Sequence, residues 1–214
     1  MKLYGYWRSS AAYRCRIALN LKGVDYDQES VHLVKDGGQQ FSDNYTAMNP
    51  AQLVPTLVDG ELVLNQSMAI LDYIENKFPQ PSLFPIDTAA RAQVLALAND
   101  IACDIHPICN LRVLKHITGE LGASEEQKVQ WIHNWINKGF SALEIQANKY
   151  GSNGKFLFGG QVTLADVVLI PQIYNALRFS VDMEQHPTLK SIWEHCNTLE
   201  AFEKALPENQ PDAG

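Results

Sequence analysis

Strand signals occupy only the first eighty residues of this 214-residue chain; after Pro79 they stop and helical patterns take over. That switch demands two bodies. Alternating strands and helices close into a layered α/β unit, whereas a run of helices buries its apolar stripes only against other helices. Residues 2–6 are aromatic-rich and strand-like, and the Ser9-Ser10 pair opens a helical run from Ala11 to Leu21 that Gly23 stops. Serine is a natural N-cap and glycine a natural C-terminal stop. Residues 26–33 read as a second strand and Asp36-Gly37-Gly38 as a loop. Residues 54–58 read as a third strand, turned at Asp59-Gly60 into a fourth over 62–64, which is a hairpin signal. Ser67 is expected to cap a helix carrying Ile70, Leu71 and Ile74 on one face and ending near Phe78. The order strand, helix, strand, hairpin, helix predicts a small thioredoxin-like α/β domain over 1–80.

Pro79, Pro81 and Pro85 mark a linker, 81–87, and an all-α domain is expected over 88–214. Ala89 to His116 reads as one long helix. Ser124 with Gln127 forms a capping box, and Thr163 with Asp166 has the same spacing with aspartate in the acidic place, ahead of the apolar run 167–170. Trp131 and Trp135, at i and i+4, share a helix face and read as packing.

Charge narrows the partners. A formal net charge of −7 and a pI near 5.3 leave no broad basic surface of the kind that a phosphate backbone or an anionic membrane requires, so neither nucleic acid nor membrane is an expected partner. No uninterrupted apolar stretch approaches the ~18 residues of a membrane span, and the stretch 1–10 carries Arg8 without an apolar run, unlike a secretory signal. The cysteines Cys15, Cys103, Cys109 and Cys196 form no Cys-x-x-Cys pair and are too sparse for a disulfide scaffold, so a reduced, cytoplasmic protein is expected. The histidines show no zinc-ligand spacing with one another or with the cysteines, and no metal site is expected. Against this acidic background Arg8, Arg14 and Arg16 fall close together beside the first helix, a small cationic pocket suited to a small anionic ligand.

Thioredoxin-like redox proteins place a Cys-x-x-Cys at the start of the helix after the first strand, where the positive helix end lowers a thiol pKa. This chain has Arg8-Ser9-Ser10-Ala11 there. It keeps a hydroxyl-rich site for a thiolate and supplies no thiol, which implies a thiol brought from outside. Gln66-Ser67 marks a second helix start where N–H groups and a hydroxyl can take a carboxylate. Val54-Pro55 places a proline at a strand start, often cis in this fold, leaving the Val54 backbone to pair with an extended peptide. Taken singly, each of these features is more often structural. Asp166 reads as a helix-box residue rather than a catalytic acid, and Cys15 as a small buried apolar residue.

Taken together, Ser9-Ser10-Ala11-Ala12-Tyr13-Arg14-Cys15-Arg16-Ile17-Ala18-Leu19, Lys35-Asp36-Gly37-Gly38-Gln39-Gln40, Asn49-Pro50, Val54-Pro55-Thr56-Leu57 and Gln66-Ser67 resemble the zeta-class glutathione transferases. In the helical half, Asp104-Ile105-His106-Pro107, Asn110-Leu111-Arg112 and Asn175-Ala176-Leu177-Arg178-Phe179 resemble the same class, so the likeness spans nearly the whole chain. The resemblance implies a thioredoxin-like, glutathione-binding domain joined to an all-helical substrate domain, and a homodimer. It places Ser9 and Ser10 at the glutathione sulfur as catalytic residues, Arg14 in the glutathione-binding set, Gln40 and Val54 at its middle and glycyl parts, and Gln66-Ser67 at its γ-glutamyl carboxylate. His106, Asn110, Leu111 and Arg112 correspond to further glutathione contacts. Arg178 matches a substrate-carboxylate arginine, with Arg8 and Arg112 as helpers. One departure stands out: the class often reads Ser-Ser-Cys, and here the third place is Ala11, so glutathione is the only thiol there.

The activity so implied is glutathione-dependent cis–trans isomerisation of a small dicarboxylic substrate, maleylacetoacetate to fumarylacetoacetate, within aromatic amino-acid degradation. Maleylpyruvate is the neighbouring substrate. Glutathione transfer to halogenated acids and a noncatalytic interaction module are the other readings, the last disfavoured by the presence of Ser9, Gln66, Ser67 and Arg178.

Overall fold

The computed structural model describes residues 1–213. They divide by packing into one unit made of Met1–Ser82 with the segment from Leu199 onward, and another made of Leu83–Thr198. The expected division at 1–80 and 88–214 differs from this chiefly at the far end, because the closing stretch of chain folds onto the first unit.

In the first unit, β1 (Lys2–Gly5), α1 (Ser10–Leu21) and β2 (Asp27–Ser30) form a parallel crossover, followed by α2 (Asp43–Met48), the hairpin β3 (Thr56–Asp59) and β4 (Leu62–Asn65), and α3 (Ser67–Lys77). The sheet order is β2-β1-β3-β4, with β1 parallel to β2 and antiparallel to β3. The hairpin loop is Gly60-Glu61, and Gly60 takes φ 60°, a conformation glycine adopts without steric cost. Leu3 and Leu57 from the sheet meet Ile17, Leu19, Ile70, Leu71 and Ile74 from α1 and α3 in a core from which water is nearly excluded. A buried ion pair closes the base of this core. Lys22 Nζ lies 2.6 Å from Glu75 Oε2 and donates to the Pro81 carbonyl at 2.6 Å, while Ser82 Oγ donates to Glu75 Oε1 at 2.8 Å. The pair has hydrogen bonds beyond its own contact, which a buried pair needs to offset desolvation.

The second unit is all-helical, but the expected long helix over 89–116 is interrupted. Pro107 has no N–H to give, and its ring clashes with the carbonyl four residues back in a continuous helix. The chain instead runs through α4 (Thr88–Asn99), a π-helical turn (Asp100–Ile105), a 3₁₀ turn (Pro107–Cys109) and α5 (Leu111–Gly119). Then come α6 (Glu125–Tyr150), α7 (Leu164–Arg178) and α8 (Pro187–Cys196). Both expected helix starts are built by side chains. The Ser124 N–H donates to Gln127 Oε1 at 2.8 Å and the Gln127 N–H to Ser124 Oγ at 3.2 Å. Asp166 accepts from the Thr163 N–H at 2.8 Å, the Thr163 hydroxyl at 3.0 Å and the Leu157 N–H at 2.7 Å. Burial still dominates this carboxyl and pushes it up to about 6. Helix α7 is buried almost all round, as its unbroken apolar run requires. Val167, Leu169 and Ile173 on α7 share the core with Val94, Leu97, Ile132, Ile136, Phe140 and Leu189. The last helix, α9 (Glu200–Ala205), belongs to the first unit and lies on α1.

Candidate functional site

Strand directions gather most of the expected residues at one end of one sheet. β1, β2 and β4 all finish at the end where antiparallel β3 begins, as the pairs Gly5↔Ser30, Tyr4↔Thr56 and Thr56↔Asn65 fix. Four segments leave or enter the sheet there: 6–10 into α1, the loop after β2 with Gln40, the Val54-Pro55 approach to β3, and Gln66-Ser67 into α3. Residues far apart in sequence thus become neighbours through register alone.

At the start of α1, Ser9 is the N-cap; its Oγ accepts from the Ala12 N–H at 3.3 Å, which leaves the hydroxyl proton to donate outward. Ser9 is half-buried, whereas Ser10 is 5% exposed. Ala11 occupies the first turn, and Cys15 lies one turn further on in the core, its thiol pushed up to about 12 by burial. No protein thiolate is therefore available at this helix end. Arg8 is occupied nearby: its Nη2 and Nε donate to the Tyr6 hydroxyl at 2.8 and 3.2 Å, and the guanidinium lies 4.6 Å over the Trp7 ring.

The Val54–Pro55 bond is cis. Residues around it form a hydrogen-bonded brace whose role the sequence did not disclose. The Leu53 carbonyl accepts from Tyr45 Oη at 2.6 Å and from Asn49 Nδ2 at 2.7 Å. Asn49 Nδ2 also donates to Thr56 Oγ1 at 3.0 Å, and Asn65 Nδ2 donates to Asn49 Oδ1 at 3.2 Å. Asn49 is 1% exposed and Thr56 is fully buried, so this brace fixes the main chain of 53–56 from beneath. The only advance signal was the Asn49-Pro50 pair. After β2, Gln40 is buried and donates to the Leu33 carbonyl at 3.5 Å, while its Oε1 has no protein partner.

At the start of α3 the expectation needs correction. Ser67 is the first helical residue, not the cap; Gln66 holds the cap position at φ 67° without a side-chain cap bond. The Ser67 hydroxyl is used differently, accepting from Arg14 Nη1 at 3.1 Å with both residues buried. A guanidinium only donates, so the bond direction is fixed and the Ser67 proton is left for an incoming acceptor. An α-helix N-terminus already favours an anion, and this one has a buried cation behind its hydroxyl.

His106, Asn110, Leu111, Arg112 and Arg178 belong to the second unit. Asn110 caps α5, its Oδ1 accepting from the Arg112 N–H at 3.2 Å, and Arg112 is exposed. Arg178 is the last residue of α7, exposed, with its guanidinium 4.7 Å over the Phe179 ring. Ser180 at φ 58° ends that helix, with the Val181 N–H on the Ala176 carbonyl (3.0 Å) and the Ser180 N–H on the Leu177 carbonyl (2.9 Å). This is a Schellman ending made with serine where glycine is usual. Helix α6 holds both segments: Trp131 Nε1 donates to the Ile108 carbonyl at 3.0 Å and His133 Nε2 to the Phe179 carbonyl at 2.7 Å. Trp131 and Trp135 pack edge to face at 5.8 Å, as their spacing predicts. Among the described residues, no group of three or more His, Cys, Asp or Glu side chains is placed to hold a metal ion, and no helix is long and apolar enough to cross a membrane.

Residues 1–76 match the glutathione S-transferase N-terminal domain family and residues 123–200 its C-terminal domain family. The chain is 51% identical over 211 residues to a probable maleylacetoacetate isomerase from Vibrio cholerae, covering 99% of this chain and 97% of that protein. A solved bacterial maleyl pyruvate isomerase, described as a zeta-class glutathione S-transferase, superposes with a TM-score of 0.96 at 43% identity over all of both chains. This chain is a zeta-class glutathione S-transferase. A maleylacetoacetate isomerase from Methylobacterium extorquens AM1, solved with malonate and glutathione, is 38% identical with a TM-score of 0.94 over the full length of both chains. The thioredoxin-like body and helical body are therefore the two halves of the glutathione transferase architecture.

Proposed function

We propose that this transferase is a glutathione-dependent cis–trans isomerase of maleylacetoacetate, forming fumarylacetoacetate. The observation that carries the reading is the start of α1, where a serine hydroxyl and a helix N-terminus face outward and Ala11 and buried Cys15 leave no protein thiolate. The polar groups fit glutathione: a hydroxyl for a sulfur at Ser9, main chain at Val54, a buried, unpartnered acceptor at Gln40 Oε1, and the Arg14-backed Ser67 hydroxyl with the α3 N-terminus for a carboxylate. Bound glutathione supplies a thiolate whose addition to the conjugated double bond leaves a single bond that rotates before elimination restores it.

The chain's own residues do the rest. Ser9 donates its hydroxyl proton toward sulfur and, with the α1 N-terminus, favours the ionised thiol; its half-exposed position supports it over buried Ser10. Each pKa unit of depression is worth ~1.4 kcal/mol, within the reach of one hydroxyl bond to a charge and a helix end. Arg14, Gln40, Val54, Gln66 and Ser67 bind and orient the tripeptide, and the family likeness adds His106, Asn110, Leu111 and Arg112. Arg178 holds a substrate carboxylate in its planar fork, with Arg112 as a helper. Arg8, engaged by Tyr6 and Trp7, steadies the entry to α1.

The likeness to the solved maleyl pyruvate isomerase makes maleylpyruvate the second substrate to test. Purified protein incubated with each cis acid, with and without glutathione, is expected to consume maleylacetoacetate faster and only with glutathione; consumption of neither acid refutes the assignment. The same reading makes the protein a cytoplasmic homodimer in aromatic amino-acid degradation. Sedimentation showing only the 23.9 kDa species at micromolar concentration would count against the dimer.

A further inference from the structure

The turn that delivers Ser9 is held by groups from the far end of the chain. Within residues 6–9, the Ser9 N–H closes the turn onto the Tyr6 carbonyl at 2.9 Å. That leaves the N–H and carbonyl of Trp7 facing out of the turn, and both find partners tied to the closing segment. The Trp7 N–H donates to Asp212 Oδ2 at 3.2 Å, and the Trp7 carbonyl accepts from Arg16 Nη2 at 2.9 Å. Arg16 in turn donates through Nε to the Ala205 carbonyl at 3.1 Å, at the end of α9.

The closing segment is itself well anchored. Asn20, one turn beyond Arg16 on α1, donates to the Ala201 carbonyl at 2.9 Å. Gln210 Nε2 donates to the carbonyls of Lys204 (3.0 Å) and Leu206 (2.7 Å), which folds the chain after α9 back on itself. Asp212 then ties β2 to the turn after β1, accepting from Ser30 Oγ at 2.8 Å and Gln28 Nε2 at 3.4 Å in addition to the Trp7 N–H. Arg16 is 1% exposed, and burial draws its guanidinium below the usual arginine range, with Tyr26, Tyr13 and then Asp212 acting in the opposite sense. A fold needing only a packed tail would be served by the apolar contacts of Phe202 and Ala205, both fully buried. The charged groups are spent on the main chain two residues before Ser9.

We propose that Asp212 and Arg16 are positioning residues for the thiolate end of the site: by fixing the two polar groups of Trp7 they set the entry angle of α1 and so the aim of the Ser9 hydroxyl. This rests on the reading of Ser9 as the thiolate donor, and the experiment separates the two. Asp212 is only half-buried, so its replacement spares the core. The ultraviolet absorbance of the thiolate is titrated for glutathione bound to the wild type, Asp212→Ala, Asp212→Asn and Ser9→Ala.

Asp212→Ala is expected to raise the bound thiol pKa by about 0.5 to 1 unit, equivalent to about a threefold to tenfold loss of thiolate below that pKa. The deficit in kcat should follow the thiolate fraction and close at high pH, and Asp212→Asn, which keeps an oxygen for the Trp7 N–H, should recover most of it. A deficit of equal size at every pH, or an unchanged thiol pKa in Asp212→Ala while Ser9→Ala raises it, overturns the positioning role. An unchanged pKa in Ser9→Ala overturns the reading beneath it instead.

Discussion

Replacing Ser67 by alanine tests the carboxylate end of the site, because the structure fixes both what is lost and what is not. The hydroxyl accepts from Arg14 Nη1 at 3.1 Å with Arg14 1% and Ser67 6% exposed. Hydrogen bonds to charged groups contribute about 1.5 to 3 kcal/mol. Folding should therefore lose about 1.5 kcal/mol, the lower end of that range, because Arg14 has other interactions that survive. Glutathione binding loses a second bond, from the freed hydroxyl proton to a carboxylate, again about 1.5 to 3 kcal/mol. At 1.4 kcal/mol per decade that weakens Kd by about tenfold to 150-fold.

A truncated thiol separates the binding effect from a general disturbance. Cysteinylglycine lacks the γ-glutamyl carboxylate, so Ser67→Ala should weaken glutathione while leaving cysteinylglycine nearly unaffected, and Ser67→Thr should retain most affinity for both. Calorimetric titration of the two thiols against the wild type and both variants reads the difference directly. Equal weakening of glutathione and cysteinylglycine, or a glutathione Kd that does not move, would show that Ser67 serves only the packing of α1 against α3.

Two further outcomes follow from the helical unit. Arg178→Ala should lower kcat/KM for the isomerisation by about tenfold to 150-fold, the worth of a charge-assisted carboxylate contact, with the Kd for glutathione unchanged; Arg178→Lys should recover only part, and an equal loss of glutathione binding would remove Arg178 from the substrate. Asp166, raised by burial from 3.8 to about 6, keeps its proton in the folded state over a range where the unfolded chain has released it. Its contribution to stability therefore falls by an amount on the order of 3 kcal/mol as pH rises from about 4 to 6 and is flat above; urea unfolding across that range should show the decline in the wild type and not in Asp166→Asn, and identical slopes would refute the assignment.

Several element boundaries in both units were legible because their signals are local. The Asp59-Gly60 turn, the Ser9 cap and the paired boxes at Ser124 and Thr163 each depend on residues within four positions of one another, and each appears where its spacing predicts. The misreadings arose where a distant partner decided the outcome. Ser67 has the composition of a cap, yet its oxygen is taken by Arg14, fifty-three positions earlier, and Gln66 assumes the cap geometry instead. Residues 89–116 have helical periodicity throughout, but Pro107 interrupts the ladder and Asn110 restarts it. The return of the closing segment to the first unit left no pattern to read, since two of its bonds go to the carbonyls of Ala201 and Ala205, which any sequence supplies, and the carboxylate of Asp212 meets partners 182 to 205 positions earlier.

The three clustered arginines show how an acidic protein places guanidinium groups without a broad basic surface. Their spacing suggested one cationic pocket; the structure gives each a separate partner and buries two of them. Arg14 acts on the Ser67 hydroxyl at the start of α3, Arg16 on the Trp7 carbonyl beside the start of α1, and Arg8 on the Tyr6 hydroxyl. An exposed arginine is screened by water and salt and attracts any anion, whereas a buried one acts through the group it is bonded to and keeps more of its field. Because a guanidinium only donates, each of these bonds has one possible direction, and at Ser67 that direction leaves the hydroxyl proton to donate elsewhere, as the proposed carboxylate contact requires. A lysine at position 14 would keep the charge but lose the planar fork. Arg14→Lys should thus preserve the net charge yet weaken glutathione binding through Ser67, whereas a site that relied on overall charge would tolerate it.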